Sequence, residues 1–196
     1  MTARTVLAAI LLTLLPVAAP APAEAACATE EHEGQSFDVC RFNPAEQPLE
    51  LYNLGDDGEP IATFSGLAAQ LAGDGKRLTF AMNAGMFDDR LRPIGLYVEH
   101  GQTQKKLNRR NGYGNFHMKP NGVFLLEDGK AAVMETEAYV KSGRKPDYAT
   151  QSGPMLVING KIHPKFSETG TSAKVRNGVG VTASGEVVFA LSENAV

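Results

Sequence analysis

Residues 123–134 read VFLLEDGKAAVM. Four apolar residues, Val123 to Leu126, are followed by the turn-forming run Glu127-Asp128-Gly129-Lys130 and then by the apolar run Ala131 to Met134. Two short apolar segments separated by a glycine-containing turn predict a β-hairpin. The same pattern recurs on both sides. Gly95 to Glu99 alternates and turns at His100-Gly101. Met155 to Ile158 turns at Asn159-Gly160, the dipeptide best suited to positive φ at two successive positions, and Lys161-Ile162 starts the return strand. Val179 to Thr182 turns through Ala183-Ser184-Gly185-Glu186 into Val187 to Leu191.

Upstream, Leu78 to Met82 is short and apolar and reads as a strand, and Leu49 to Leu54 reads as another, closed by the turn Gly55-Asp56-Asp57-Gly58. Ser65 is placed to cap a helix in which Leu67, Ala68, Leu71 and Ala72 share one face and which Gly73 ends. It is the one helix the pattern predicts. Glu30 to Gln35 is polar and reads as mobile. The fold class is therefore α+β: a mostly antiparallel or mixed sheet built of hairpins, with one or few helices packed on it.

With 196 residues the chain is expected to hold one domain. Its net charge is −3 and its basic residues are scattered, apart from the small patch Lys105-Lys106 and Arg109-Arg110. That distribution argues against a nucleic-acid partner, which selects for basic charge on one face. Arg4, the apolar run Val6 to Leu15 and Ala23-Glu24-Ala25 have the order of a secretory signal, so residues 1–25 read as a cleaved leader and 26–196 as the domain. A retained anchor is the alternative, and no other segment has the length and apolarity to cross a membrane. The expected location is the periplasm or the exterior. There Cys27 and Cys40 pair most simply as a disulfide, which on the chain-entropy model contributes about 3 kcal/mol. Two free thiols, or a lipid-bearing Cys27, are the alternatives.

No metalloprotease helix, Cys-x-x-Cys, phosphate-binding loop or nucleophile elbow is present. The histidines, His32, His100, His117 and His163, lack metal-cluster spacing. No metal site is expected and no cofactor is specified. Four polar islands stand out instead: residues 82–87 (MNAGMF), 114–122 (GNFHMKPNG), 151–154 (QSGP) and 175–180 (VRNGVG). Each joins Asn or Gln to Gly. Turn chemistry accounts for Asn and Gly one island at a time. Taken together, the islands form a candidate rim of amide donors that a ligand can approach closely, with Arg176 as a guanidinium fork for phosphate. The candidate binding residues are Asn83, Gly85, Asn115, Gln151, Ser152, Arg176 and Asn177. Gly153-Pro154 is expected to aim Gln151 and Ser152 at this rim.

The ordered motifs AMNAGMF (81–87), GLYVEHG (95–101), GNFHMKPNGVF (114–124), ATQSGPMLVINGKIHPKF (149–166), RNGVGV (176–181) and VVFALSE (187–193) resemble the bacterial branch of the phosphodiester glycosidase family, the family of the lysosomal uncovering enzyme. The resemblance covers roughly Leu49 to Val196. It implies hydrolysis of a sugar–phosphate diester, with Asn83, Gly85 and Phe87, Gln151 to Pro154, and Arg176 to Gly180 matching family motifs and phosphate recognition placed at the last. The family continues with a helix and a strand ending in Leu-Asp-Gly-Gly. This sequence carries no such segment, and the apolar strand at its end reads as a copy lacking its C-terminal part. Glycoside cleavage usually uses two carboxyl groups. Glu193 is the acid–base candidate, against a merely solvated glutamate. His117 is a candidate proton donor, against a histidine that only bonds a loop carbonyl. The implied partner is a small molecule or glycan carrying a sugar–phosphate diester. The alternatives to a glycosidase are a non-catalytic envelope protein that binds phosphorylated glycan, and a generic phosphodiesterase.

Overall fold

A computed structural model describes residues 26–166, 170 and 172–196; the leader predicted over 1–25 lies outside them. The elements in chain order are β1 (Ala26–His32), β2 (Gln35–Phe42), α1 (Phe64–Gly73), β3 (Tyr97–Glu99), β4 (Gln102–Lys105), a 3-10 turn (Asn115–His117), β5 (Gly122–Glu127), β6 (Lys130–Glu135), α2 (Thr136–Ser142), β7 (Tyr148–Ser152), β8 (Val157–Ile158), β9 (Lys161–Ile162), β10 (Asn177–Val181) and β11 (Val187–Ser192). They form three antiparallel sheets: β1-β2-β11-β10, β4-β3-β7-β5-β6 and the small pair β8-β9. The class is α+β and β-rich, as the hairpin grammar predicts.

The quoted stretch is the β5–β6 hairpin, with Leu126 opposite Ala131 and Val123 opposite Met134. Its turn residues Asp128 and Gly129 both have positive φ, as do His100-Gly101 and Asn159-Gly160 at the tips of the β3–β4 and β8–β9 hairpins. β5 is buried on both faces. Val123 and Leu125 face one way, with Leu96, Val98 and Ala149, under Leu107 and the α2 residue Tyr139. Phe124 and Leu126 face the other way, against Val187, Val179, Val181 and Phe189 of the four-stranded sheet. Each such side chain contributes about 1.5–3 kcal/mol through the area it removes from water. The five-stranded sheet is thus covered on one face by the four-stranded sheet and on the other by α2 and the 107–110 segment.

Four expectations are corrected. Residues 30–35 are not loose: they belong to the β1–β2 hairpin, whose register sets Cys27 directly opposite Cys40, and the two form a disulfide. Leu49 to Leu54 forms no strand, only an isolated bridge between Leu54 and Pro60. Leu78 to Met82 also lacks a ladder; Phe80 packs on Phe42 and Phe189 of the four-stranded sheet. The cap of α1 is Thr63, whose hydroxyl accepts from the Gly66 N–H at 3.0 Å, rather than Ser65. A second helix, α2, follows β6 without a loop because the Glu135 carboxylate caps it, accepting from the N–H groups of Glu137 and Ala138.

Candidate functional site

The sheet ends place the islands. Antiparallel pairing brings the end of β7 at Ser152 beside the start of β5 at Gly122, which lies beside the end of β6 at Glu135; the start of β3 at Tyr97 pairs with Thr150. Three islands or their flanks meet at this edge of the five-stranded sheet, and the fourth arrives from the other sheet at the start of β10.

Glycine makes the close approaches possible. A Cβ on Gly85 would stand 2.0 Å from the Thr150 hydroxyl and 2.9 Å from the Gln151 carbonyl, so the first island lies on the third. A Cβ on Gly153 would stand 2.7 Å from the Phe116 carbonyl and 3.0 Å from that of Asn115, so the third lies on the second. The Asn177 amide donates to the Asn83 carbonyl at 3.1 Å, which ties the fourth to the first. The chain of contact is therefore Asn177, Asn83, Gly85, the Thr150–Gly153 segment and Asn115. It crosses both sheets.

Gln151 has a different position from the one its sequence context suggests. It is 1 % exposed, and its amide is fully bonded inside the fold. Its Oε1 accepts from the N–H groups of Leu96 at 3.1 Å and Asn108 at 2.9 Å. Its Nε2 donates to the Asn108 carbonyl at 2.9 Å and the Thr136 hydroxyl at 3.2 Å. An amide has two acceptor and two donor positions, and all four are used. Gln151 therefore acts as a brace that holds the 107–110 segment as a neighbouring strand would. The Thr136 hydroxyl in turn donates to Asn121, whose Nδ2 donates to the Phe116 carbonyl at 3.0 Å. Asn108, Asn121 and Thr136 are not singled out by sequence reasoning. The only hint is that an Asn inside an island, such as Asn121, has two equally good uses.

The remaining candidates reach the surface. Asn83, Asn115, Arg176, Asn177 and Glu193 are exposed, and Ser152 is half-buried. Arg176 is anchored by its backbone: its N–H donates to the buried Ser192 hydroxyl at 2.9 Å and its carbonyl accepts from the Ser192 N–H at 2.8 Å. One guanidinium nitrogen donates to the Ser172 carbonyl at 2.8 Å, and its other N–H groups have no partner among the described residues. Glu193 follows Ser192 and so lies at the same hairpin end as Arg176; its own N–H donates to the Ser36 carbonyl at 3.0 Å. The half-buried His117 bonds the Arg110 carbonyl through Nδ1 at 3.1 Å. Since a carbonyl only accepts, Nδ1 carries the hydrogen and Nε2 is left for other chemistry. Gly112 passes over this ring, where a Cβ would lie 2.7 Å from Nε2.

Among the described residues, no group of three or more His, Cys, Asp or Glu side chains is arranged to hold a metal ion. No helix of the described residues is long and apolar enough to cross a membrane.

Comparison with known proteins gives the family. Residues 76–195 match a family model described as phosphodiester glycosidase, a span that contains all four islands. The chain is also 37% identical over 184 residues to the uncharacterized protein YigE of Escherichia coli (strain K12), which covers 94% of this chain and 70% of that protein.

Proposed function

Because the chain belongs to the phosphodiester glycosidase family, we propose that it is an exported hydrolase that releases a sugar from a sugar–phosphate diester at the rim formed by the four islands. The observation that carries this reading is the continuous contact from Asn177 through Asn83 and Gly85 to Gly153 and Asn115. It gathers residues far apart in sequence onto one surface of amide groups, with a guanidinium at one end.

In this reading Arg176 takes phosphate oxygens through the N–H groups that have no partner among the described residues. The amides of Asn83, Asn115 and Asn177 and the Ser152 hydroxyl take sugar hydroxyls. Gly85 keeps the first island close enough to contribute. Gln151 holds the frame and does not touch ligand. Water adds to the anomeric carbon as the bond from that carbon to the phosphate oxygen breaks. The electron pair leaves with the phosphomonoester, and the water proton is passed to a base. In this reading Glu193, at the same hairpin end as Arg176, takes that proton. His117 is then the proton donor, as an imidazolium whose Nδ1–H stays on the Arg110 carbonyl while Nε2–H gives its proton to the leaving group. Phosphate leaves as a stable anion, so the demand on a general acid is smaller than for an ordinary glycoside.

The Cys27–Cys40 disulfide supports an oxidising compartment, and residues 1–25 take the role of a leader removed on export. The function is tested by incubating the exported protein with a sugar phosphodiester and measuring free sugar. Release that is lost in Arg176→Ala, with unchanged folding, supports the reading. Release unaffected by that substitution removes Arg176 from the site.

A further inference from the structure

The basic patch at Arg109-Arg110 has no part in the rim as described above, yet the structure builds a second cationic feature around it. The Lys119 ammonium donates to the Arg109 carbonyl at 2.7 Å, and His117 Nδ1 bonds the next carbonyl, that of Arg110, at 3.1 Å. Two basic side chains are thereby fixed on one short stretch of backbone. The Arg110 side chain leans on Asn108 Oδ1 through Nε at 3.4 Å, and its terminal guanidinium nitrogens have no partner among the described residues. Arg109 is neutralised by its two bonds to Glu137, whose carboxyl is held below its usual range by that arginine first and by the nearby charges of Lys119 and Lys141. Arg110 and Lys119 form no ion pair among the described residues, though the Lys119 charge is near enough to Glu137 to lower its carboxyl. At the tip, between Gly112 and Gly114, Tyr113 is fully exposed. Beneath the loop, the buried Gln151 amide holds both the N–H and the C=O of Asn108, so the cations emerge from a fixed base.

We propose that the 109–119 loop is a second anion site, which takes a phosphate ester carrying a ring: the phosphate between Arg110 and Lys119, the ring on the face of Tyr113. Exposed arginine and lysine donors that are not held in an ion pair among the described residues match a phosphate in charge and in donor number. A solvent-exposed tyrosine beside them offers a flat surface to a base or sugar ring. Gly153 lies against the Asn115 and Phe116 carbonyls, so the loop continues the rim at the end away from Arg176. Taken with the proposed activity, on which this last step rests, the substrate carries a further phosphate and ring beyond its sugar, at the end away from the diester phosphate on Arg176. The binding itself does not depend on turnover.

The test is an amide NMR titration of the whole protein with adenosine monophosphate, ribose 5-phosphate and inorganic phosphate at millimolar concentration. The expected result is saturable shifts within residues 109–119 for both esters. Arg110→Gln and Lys119→Gln should each weaken all three probes about tenfold. Tyr113→Ala, a change at a fully exposed side chain, should weaken adenosine monophosphate about tenfold while leaving inorganic phosphate unchanged. If ribose 5-phosphate is affected as strongly as the nucleotide, the ring is a sugar; if only the nucleotide is affected, it is a base. No shift in the loop, or affinities unchanged in folded variants, overturns the proposal. Shifts confined to residues around 83 and 176 overturn it while leaving the sugar–phosphate reading of the rim intact. Loop binding without any sugar release sinks that reading and leaves this one standing.

Discussion

The side-chain amide of Asn177 donates to the main-chain carbonyl of Asn83 at 3.1 Å, joining positions 94 apart in sequence. Asn177 opens β10 in the four-stranded sheet, whereas Asn83 precedes the strands of the five-stranded one. One exposed hydrogen bond therefore links the two halves of the proposed rim, beside the apolar packing that joins the sheets.

Asn177→Ala should expose that dependence. An exposed hydrogen bond contributes about 1 kcal/mol or less to stability, a shift in melting temperature of about 2–4 °C for a domain of this size. Misplacing half of a binding rim costs far more in rate, about ten- to a hundredfold. A melting curve and kcat/KM on one sugar phosphodiester check both. Equal rates for the two proteins would show that the bond positions nothing.

Gln151→Met should show the opposite balance. The change keeps the volume but strands the buried N–H groups of Leu96 and Asn108 and the Asn108 carbonyl. Leaving buried backbone groups unpaired should cost about 3 kcal/mol or more, read as a lower midpoint in urea. A midpoint within error of the parent protein would contradict the brace.

The disulfide gives a separable contribution. Cys27 and Cys40 are 13 positions apart, and the chain-entropy model assigns about 3 kcal/mol to a loop near that length. Replacing both with alanine should lower stability by about that amount, read as a lower midpoint in urea, and because Cys27 and Cys40 line one cavity with Met82 of the first island, sugar release is measured alongside it. Loss of activity in a folded double variant would show that the hairpin reaches the site.

Asp88 should titrate well below the usual aspartate. The Arg92 side chain, then the backbone N–H groups of Arg92 and Arg90, hold its carboxyl down to about 2, against an ordinary value of 3.8. Its folded value is depressed, so the clamp on residues 88–92 is fully present above the ordinary value and fails as pH falls from there through about 2. A carboxyl carbon titration by NMR reads this directly, and Arg92→Ala should return the midpoint toward the ordinary range. A parent midpoint near 3.8 would refute the clamp.

What the sequence makes legible is local chemistry. His100-Gly101, Asp128-Gly129 and Asn159-Gly160 predict their turns because positive φ is written in the residue types themselves, and each has that conformation. The β1–β2 hairpin is less legible because polar residues occupy both faces; pairing with β11 and the disulfide hold it, and neither leaves a period in the sequence. Strand periodicity also does not say which sheet a strand joins, which is why two stacked sheets read as one. α2 carried usable signals, a capping Glu135 and a closing Gly143 in the left-handed region, behind a strand that left no gap for a loop. The role of Gln151 depends on backbone groups of Asn108 and Leu96, 43 and 55 positions away, and a rim glutamine and a bracing glutamine look the same in a string of letters.

The central claim is that the bond broken joins the anomeric carbon to the phosphate oxygen. Hydrolysis of a sugar phosphodiester in heavy-oxygen water, followed by mass spectrometry of both products, tests it most directly. The account predicts the label in the anomeric hydroxyl of the released sugar and none in the phosphomonoester. Label in the phosphate, or no release from any sugar phosphodiester by the folded, disulfide-bonded protein, would contradict it.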